Sequence, residues 1–463
     1  MSERTARVST APRVLALAGN SVTLTLASVA GSGLSLVADA ACRNGGWVSN
    51  SRIFQDRCYS DLYALYGTEG LGAGQIPYLN HKVEYPVLTG AAMQAAAWLV
   101  RGGDLIQQRA LHFFYLSAAL LAVATIATVL AVAHAAGPGW RWSALLVALS
   151  PGLILTSFVN WDLLATSLAA LGLAAWASRR CVLAGILIGL AVAAKFYPVV
   201  FLGPLLLLCL RAGRMRAFWL TTAAAAGAWL AVNLPVALAA PAGWAWFYEI
   251  SASRGPDWGS IWYFFRVEHW PVLGSLSTSG LNLASALALA ALAGLLTILT
   301  LAAPRRPRLP QLLFLAVVAF LIFNKVWSPQ YVIWLVPLAV LARPRLGAYL
   351  LWQAAEVGYF LAIWAYLITA LASAGSAPSS GGISATLYFD ALTARFDALL
   401  VLAALVVRDM IRPERDLVRT GVAGADDPAG GVLSGAPDVR VLRLRQALHL
   451  PVARPPRRER PAA

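Results

Sequence analysis

Three short polar stretches interrupt a mostly apolar chain: Asn160-Trp161-Asp162, Lys195-Phe196-Tyr197-Pro198 and Asn324-Lys325-Val326-Trp327-Ser328-Pro329-Gln330. Each sets an ionisable side chain among aromatic or amide groups. A further set, Asp56, Asp61 and Glu84, lies in a longer polar segment rich in Tyr and Gly. A carboxylate of this kind can take a proton from a hydroxyl, and lysines can stabilise charge on a departing anion. Arg254, Arg266 and His269 stand among Trp244, Trp246, Trp258, Trp262 and Trp270, where they could hold a lipid phosphate by charge-assisted hydrogen bonds. Those rings suit an interfacial aromatic belt as well as stacking on sugar or packing on a lipid chain. A plainer reading stays open, in which the polar groups are solvated turn residues and Asp162 merely pairs with Lys195.

Other chemistries lack their signatures. The chain has no G-x-x-x-x-G-K-[ST] phosphate cradle, no Asp-x-Asp pair, no His-x-x-x-His, no Cys-rich cluster and no G-x-S-x-G elbow. The reaction, if there is one, runs on carboxylates, Lys and Arg, without metal or cofactor.

The elements that must position these residues are membrane helices. Of 463 residues 59% are apolar and only 12% are charged, about half the charge of a soluble domain, which carries about 25%, and the mean hydropathy is +0.68. Runs such as 14–38, 111–136 and 281–303 reach the roughly 20 apolar residues that span a bilayer. The net charge of +15 sits in short Lys and Arg clusters between such runs, which marks topology rather than nucleic-acid binding. Placing Arg141, Arg179-Arg180, Arg211/Arg214/Arg216, Arg305/Arg306/Arg308 and Arg343/Arg345 inside predicts twelve crossings with both termini cytoplasmic. They run over 13–38, 110–135, 142–158, 163–178, 181–194, 198–210, 217–240, 276–303, 311–323, 331–342, 346–371 and 386–407.

This all-α polytopic reading divides the chain into a cytoplasmic stretch 1–12, a transmembrane domain 13–407 and a disordered basic cytoplasmic tail 408–463. Residues 39–109 and 241–272 form the large extracytoplasmic loops. The first apolar run is about twice the length of a signal-peptide core and reads as an uncleaved helix. Residues 86–100 are apolar but short, and read as a helix on or dipping into the outer face.

Several central runs are too short to cross: about 13 residues rise only about 20 Å of a roughly 30 Å core. Their tips therefore end below the outer surface, which is tolerated only beside a protein-walled or watery cavity, and an ionisable residue there points to function. Cys42 and Cys58 both fall in the first outer loop, where a disulfide is expected; Cys181 and Cys209 fall near the inner face and stay reduced. Within the last helix, Arg395 either pairs with Asp390 and Asp397 or faces an anion.

Taken in order, Asp61-Leu62-Tyr63, Gln75-Ile76-Pro77-Tyr78 and Glu84-Tyr85-Pro86-Val87-Leu88, with NWDLLA, AAKFYPVVFLGPLLLL, RGPDWGSIWY and WSPQYVIWLVPLAV, resemble glycosyltransferase family 87 over about residues 50–405. These are GT-C-fold membrane enzymes, similar to polyprenol-phosphate-mannose-dependent α-mannosyltransferases. The resemblance implies inverting, metal-independent transfer of a hexose, mannose by the nearest likeness, from a polyprenyl phosphate to a lipid or glycan hydroxyl at the extracytoplasmic face of the cell membrane. It implies an Asp base in the first outer loop, here Asp61 with Glu84 as runner-up. Lys195, Lys325, Arg254 and Arg395 are then candidates for the donor phosphate. Asn160, Asp162, Tyr197, Trp258, Trp262, Tyr263, Trp327 and Gln330 are candidates for lining the cavity or touching the sugar.

The chain departs from the family pattern by about twenty residues, Cys42 and Cys58 among them, between the first helix and Asp61. The expected partners are membrane lipids, the lipid-linked sugar and its acceptor. A carrier or flippase for a lipid-linked sugar is the alternative, though no repeat of two matching halves is visible; a noncatalytic scaffold would show the same wall residues.

Overall fold

Apolar backbone in lipid can satisfy its amides and carbonyls only within itself, so each apolar run becomes helix. The computed structural model describes residues 11–48, 50–373, 381–421 and 426–442. Its main helices are α1 Ser21–Ala38, α2 Asp61–Thr68, α3 Val87–Leu99, α4 Ile106–Ala136, α5 Asp162–Ala177, α6 Cys181–Ala194 and α7 Leu202–Arg211. There follow α8 Met215–Ala239, α9 Pro241–Ser253, α10 Thr278–Ala302, α11 Leu309–Ile322, α12 Val332–Ala342, α13 Leu346–Ser373 and α14 Ala385–Ile411. Among the described residues α1, α4, α8, α10 and nearly all of α13 are long and apolar enough to cross a membrane. The protein is an all-α polytopic membrane protein.

Helix α12 is buried at every residue and α11 at most of its residues, so this pair forms the centre. Helices α8 and α10 keep only 11% and 6% of their spans inside, which leaves their apolar side chains for lipid. Helix α6 has the bounds expected from sequence. Two expected crossings are broken. Asn20 caps a fresh helix by accepting from Val22 N, splitting 13–38 after Ala18, and Ser150 does the same for Leu153 N ahead of Pro151, splitting 142–158.

The segment that carries Asp61 is docked on the first polar tip. Ser60 caps α2, its hydroxyl donates to the Phe158 carbonyl at 2.5 Å, and the Asp61 amide donates to the Val159 carbonyl at 2.7 Å. A disulfide joins Cys42 to Cys58, and the Trp47 indole donates to the Cys58 carbonyl. Thr89 on α3 donates to the Ala194 carbonyl, one residue before Lys195. The segment before α11's partner tip is tied likewise: the Asp257 amide donates to the Lys325 carbonyl at 2.7 Å and the Trp262 indole to that of Phe323. Gly259 lies so close to the Trp327 carbonyl and the Tyr359 hydroxyl that no side chain fits there.

At the opposite end, the expected disordered tail is corrected in part. Residues 408–421 and 426–442 fold against the basic loops. Arg308 pairs with Asp416 at 2.7 Å, Arg343 with Asp409 at 3.1 Å, and Arg211 and Arg306 both with Asp438, at 2.7 and 3.0 Å. Asp427 accepts from the first amide of α11, and Val418, Ala429 and Leu433 are buried. An excess of Arg over acid suggested a repelling, solvated chain, but the carboxylates match arginines far away in sequence. Residues 443–463 and 1–10, which held the rest of the expected tail and most of the cytoplasmic start, lie outside the described residues.

Candidate active site

The three tips, the start of α2 and the end of α9 wall a cavity of about 590 Å³. Asp61, Glu84, Asn160, Lys195, Tyr197, Arg254, Lys325 and Gln330 all line it, so residues from six chain segments far apart in sequence are brought together. Tyr59, Tyr85, Tyr248, Tyr331 and Trp334 complete its polar-aromatic wall.

Asp61 is the most constrained of these groups. The Tyr59 hydroxyl donates to its Oδ1 at 2.6 Å and the Tyr85 hydroxyl to its Oδ2 at 2.7 Å. Burial pushes its carboxyl above the ordinary value, opposed by those two hydroxyl bonds and by nearby Lys195. Glu84, by contrast, is half exposed and bonded to Arg254 at 3.1 Å. Exposed pairs of this kind are worth about 0–1 kcal/mol, so Arg254 is easily taken over by a stronger anion.

The two lysines differ. Lys195 Nζ stands 2.7 Å from Asp162 Oδ1 and 5.2, 5.4 and 5.9 Å from the ring centres of Tyr85, Tyr331 and Trp334. Its charge is already met by a carboxylate and three ring faces. Among the described residues Lys325 Nζ donates only to neutral acceptors, the Ala252 carbonyl at 2.9 Å and Asn282 Oδ1 at 2.6 Å, which leaves its charge without a carboxylate partner among them at the cavity wall.

Several sequence expectations are corrected here. Arg395 is fully buried away from the cavity: its Nε donates to Glu356 Oε2 at 2.8 Å and its guanidinium lies between Trp327 and Tyr359, 4.4 and 4.2 Å from their ring centres. It is paired with Glu356 and does not line the cavity, and neither Asp390 nor Asp397, both exposed, is its partner. Asp162 does not line the cavity; it sits beneath Lys195, accepting also from the Trp334 indole at 3.0 Å. Trp327 is buried over Arg395 and Phe396. Trp262 is spent on the Phe323 carbonyl, and Trp258 and Tyr263 pack with Tyr366. None of these four lines the cavity: Trp258 and Tyr263 turn onto α13 and α14, Trp262 onto the end of α11 and Trp327 onto Arg395 and Phe396 of α14; the aromatic groups that loop 241–272 does present are Phe247 and Tyr248 of α9.

Sequence reasoning missed Glu356, Asn282, Tyr331 and Trp334, and gave Tyr59 and Tyr85 no role. Glu356 had a signal, a lone carboxylate in the apolar stretch Trp352-Gln353-Ala354-Ala355-Glu356. Among the described residues no group of three His, Cys, Asp or Glu side chains is placed to hold a metal ion.

A helical membrane protein with a carboxylate and cations around one deep cavity is the class that the fold and this site define. The chain belongs to glycosyltransferase family 87, whose profile matches residues 85–329. It is thus a membrane glycosyltransferase. The matched span holds Tyr85, Asn160, Lys195, Arg254 and Lys325, while Tyr59 and Asp61 precede it. No curated protein matches the chain.

Proposed function

We propose that the protein transfers a hexose, mannose in the first instance, from a polyprenyl phosphate to a lipid or glycan hydroxyl, with inversion, at the extracytoplasmic face of the cell membrane. The observation that carries this reading is the cavity itself, with a doubly hydrogen-bonded carboxylate on its wall and an ammonium that has no carboxylate partner among the described residues. In the proposed step Asp61 takes the acceptor's proton. The acceptor oxygen bonds to the anomeric carbon from the side opposite the phosphate, and the carbon–oxygen bond to phosphate breaks, its electron pair leaving with polyprenyl phosphate. The departing group gains negative charge, which Lys325 and Arg254 are suited to meet. Lys195, already paired with Asp162, has less charge to offer and serves the electrostatics of the wall.

Transfer of labelled mannose from polyprenyl-phosphate-mannose to membrane-lipid acceptors by the purified protein tests the reading. Lys325→Ala and Arg254→Ala should each lower kcat/KM about 10- to 100-fold, the loss expected for a hydrogen bond to a charged group. No transfer by wild type from any lipid-linked sugar tried, or transfer indifferent to both substitutions, counts against it. For the side of the membrane, an impermeant thiol reagent should label Thr68→Cys, an exposed position on α2, in intact cells; labelling only after permeabilisation would reverse the proposed topology.

A further inference from the structure

The proposed base is held by two phenols that the transfer step itself does not use. We propose that Tyr59 and Tyr85 are positioning residues, one hydroxyl on each oxygen of Asp61, which fix the carboxylate's rotation so that its remaining lone pairs face the cavity. This rests on the reading of Asp61 as the base.

Both bonds, at 2.6 and 2.7 Å, lie within the range of charge-assisted bonds from a hydroxyl to a carboxylate. Each tyrosine is itself held by further contacts. Tyr59 directly follows the disulfide-linked Cys58, and its ring packs against Phe54 and Trp364, with centres 6.4 and 5.4 Å away. Tyr85 meets Trp161 edge-on at 5.7 Å, carries the Lys195 ammonium 5.2 Å over its face, and its carbonyl accepts from the Tyr78 hydroxyl. A carboxylate alone would swing about two single bonds, and a phenol alone would leave one oxygen free. With both oxygens bonded and both donors anchored, neither rotation is available.

The clamp acts on basicity as well as angle. The groups facing Asp61 are Tyr59 and Tyr85, Lys195 and Asp162 from the neighbouring tips, and Glu69 and Glu84 from the same loop. A hydroxyl bonded to the anion favours the ionised form. Its loss lets burial prevail, so ionisation of the carboxylate moves to higher pH. Tyrosine-to-phenylalanine substitution therefore shifts the acidic limb of the pH profile upward, an effect that simple loosening of the loop does not produce.

The test measures kcat/KM for mannose transfer against pH with the full-length enzyme as wild type, Tyr59→Phe, Tyr85→Phe, Asp61→Asn and, as control, Tyr63→Phe. Tyr63 stacks on Trp47 at 4.7 Å, and among the described residues its hydroxyl bonds to no carboxylate. Expected are an upward limb shift of about one pH unit and a plateau kcat lower by about 10-fold in each clamp variant, with no shift in the control. An unmoved limb in both clamp variants, with Asp61→Asn inactive, overturns the clamp and leaves the base in place. A shift in only one overturns the two-armed form. Full activity in Asp61→Asn overturns the base, and the clamp with it.

Discussion

Asp61→Asn loses at least about 100-fold in mannose transfer while remaining folded and still binding the donor. A positioned general base contributes about 10²- to 10⁴-fold, and an amide of the same shape cannot accept the proton. The surroundings of Asp61 make the variant easy to interpret. Its amide oxygen can accept from one tyrosine, and its NH2 can donate to the other phenol after that hydroxyl turns. Stability should move the opposite way from activity. Burial raises the folded-state pKa of Asp61 above that of the unfolded chain, so folding favours its protonated form. The resulting penalty is absent below the unfolded pKa, grows as pH rises through the folded pKa, and is complete above it. At neutral pH the asparagine variant should thus melt no lower than wild type. A dead enzyme that also melts far below wild type would mean that Asp61 supports the loop rather than the reaction, and Glu84→Gln would then be the informative substitution.

The second large effect is on folding. Arg395→Met should destabilise the protein by about 3–5 kcal/mol, the cost of leaving one partner of a buried ion pair alone. The Glu356 carboxylate would keep the Trp352 indole, which donates to it at 2.9 Å, but lose the guanidinium. The Trp327 and Ser328 carbonyls would lose their donor as well. Arg395→Met with Glu356→Leu removes both charges and should recover much of the loss, because a well-packed apolar replacement of a buried pair is often neutral or better. Denaturation in detergent, followed by a fluorescence or thermal probe, checks the cycle. If the double variant is as unstable as the sum of the singles, the pair is not the source of the stability.

These two residues also mark how far the sequence could be read. Asp61 stood in a polar loop among other carboxylates, and helix periodicity says nothing about loops; the resemblance singled it out, and only the folded chain brings Tyr59 and Tyr85 to its two oxygens. Arg395 was visible as a charge in an apolar span, yet its partner comes from another helix, 39 residues earlier. Neighbours along the helix, Asp390 and Asp397, were the obvious candidates and point elsewhere. Helix α6 was legible because its apolar run stands between Arg179-Arg180 and Lys195, and its bounds match; the long spans α1, α4, α8, α10 and α13 were legible from apolar runs of about bilayer length. Breaks at Asn20 and at Ser150-Pro151 were legible in principle as capping and proline signals, but the unbroken hydropathy of those runs masked them. The segment after Arg408 was misread because its pairing is a match of charges across 66 to 227 positions of sequence.

That long reach has a bearing on how the protein is built. Arg211, Arg306, Arg308 and Arg343 sit in loops whose positive charge, on the proposed topology, directs each hairpin to the cytoplasmic side. Their carboxylate partners, Asp409, Asp416 and Asp438, are made later. While the ribosome is still producing α11 to α13, the earlier arginines are unpaired and bias insertion with their full charge. Only when residues 409–438 emerge are the same side chains neutralised and locked. The order of the chain thus lets one set of arginines first orient the helices and later cement them.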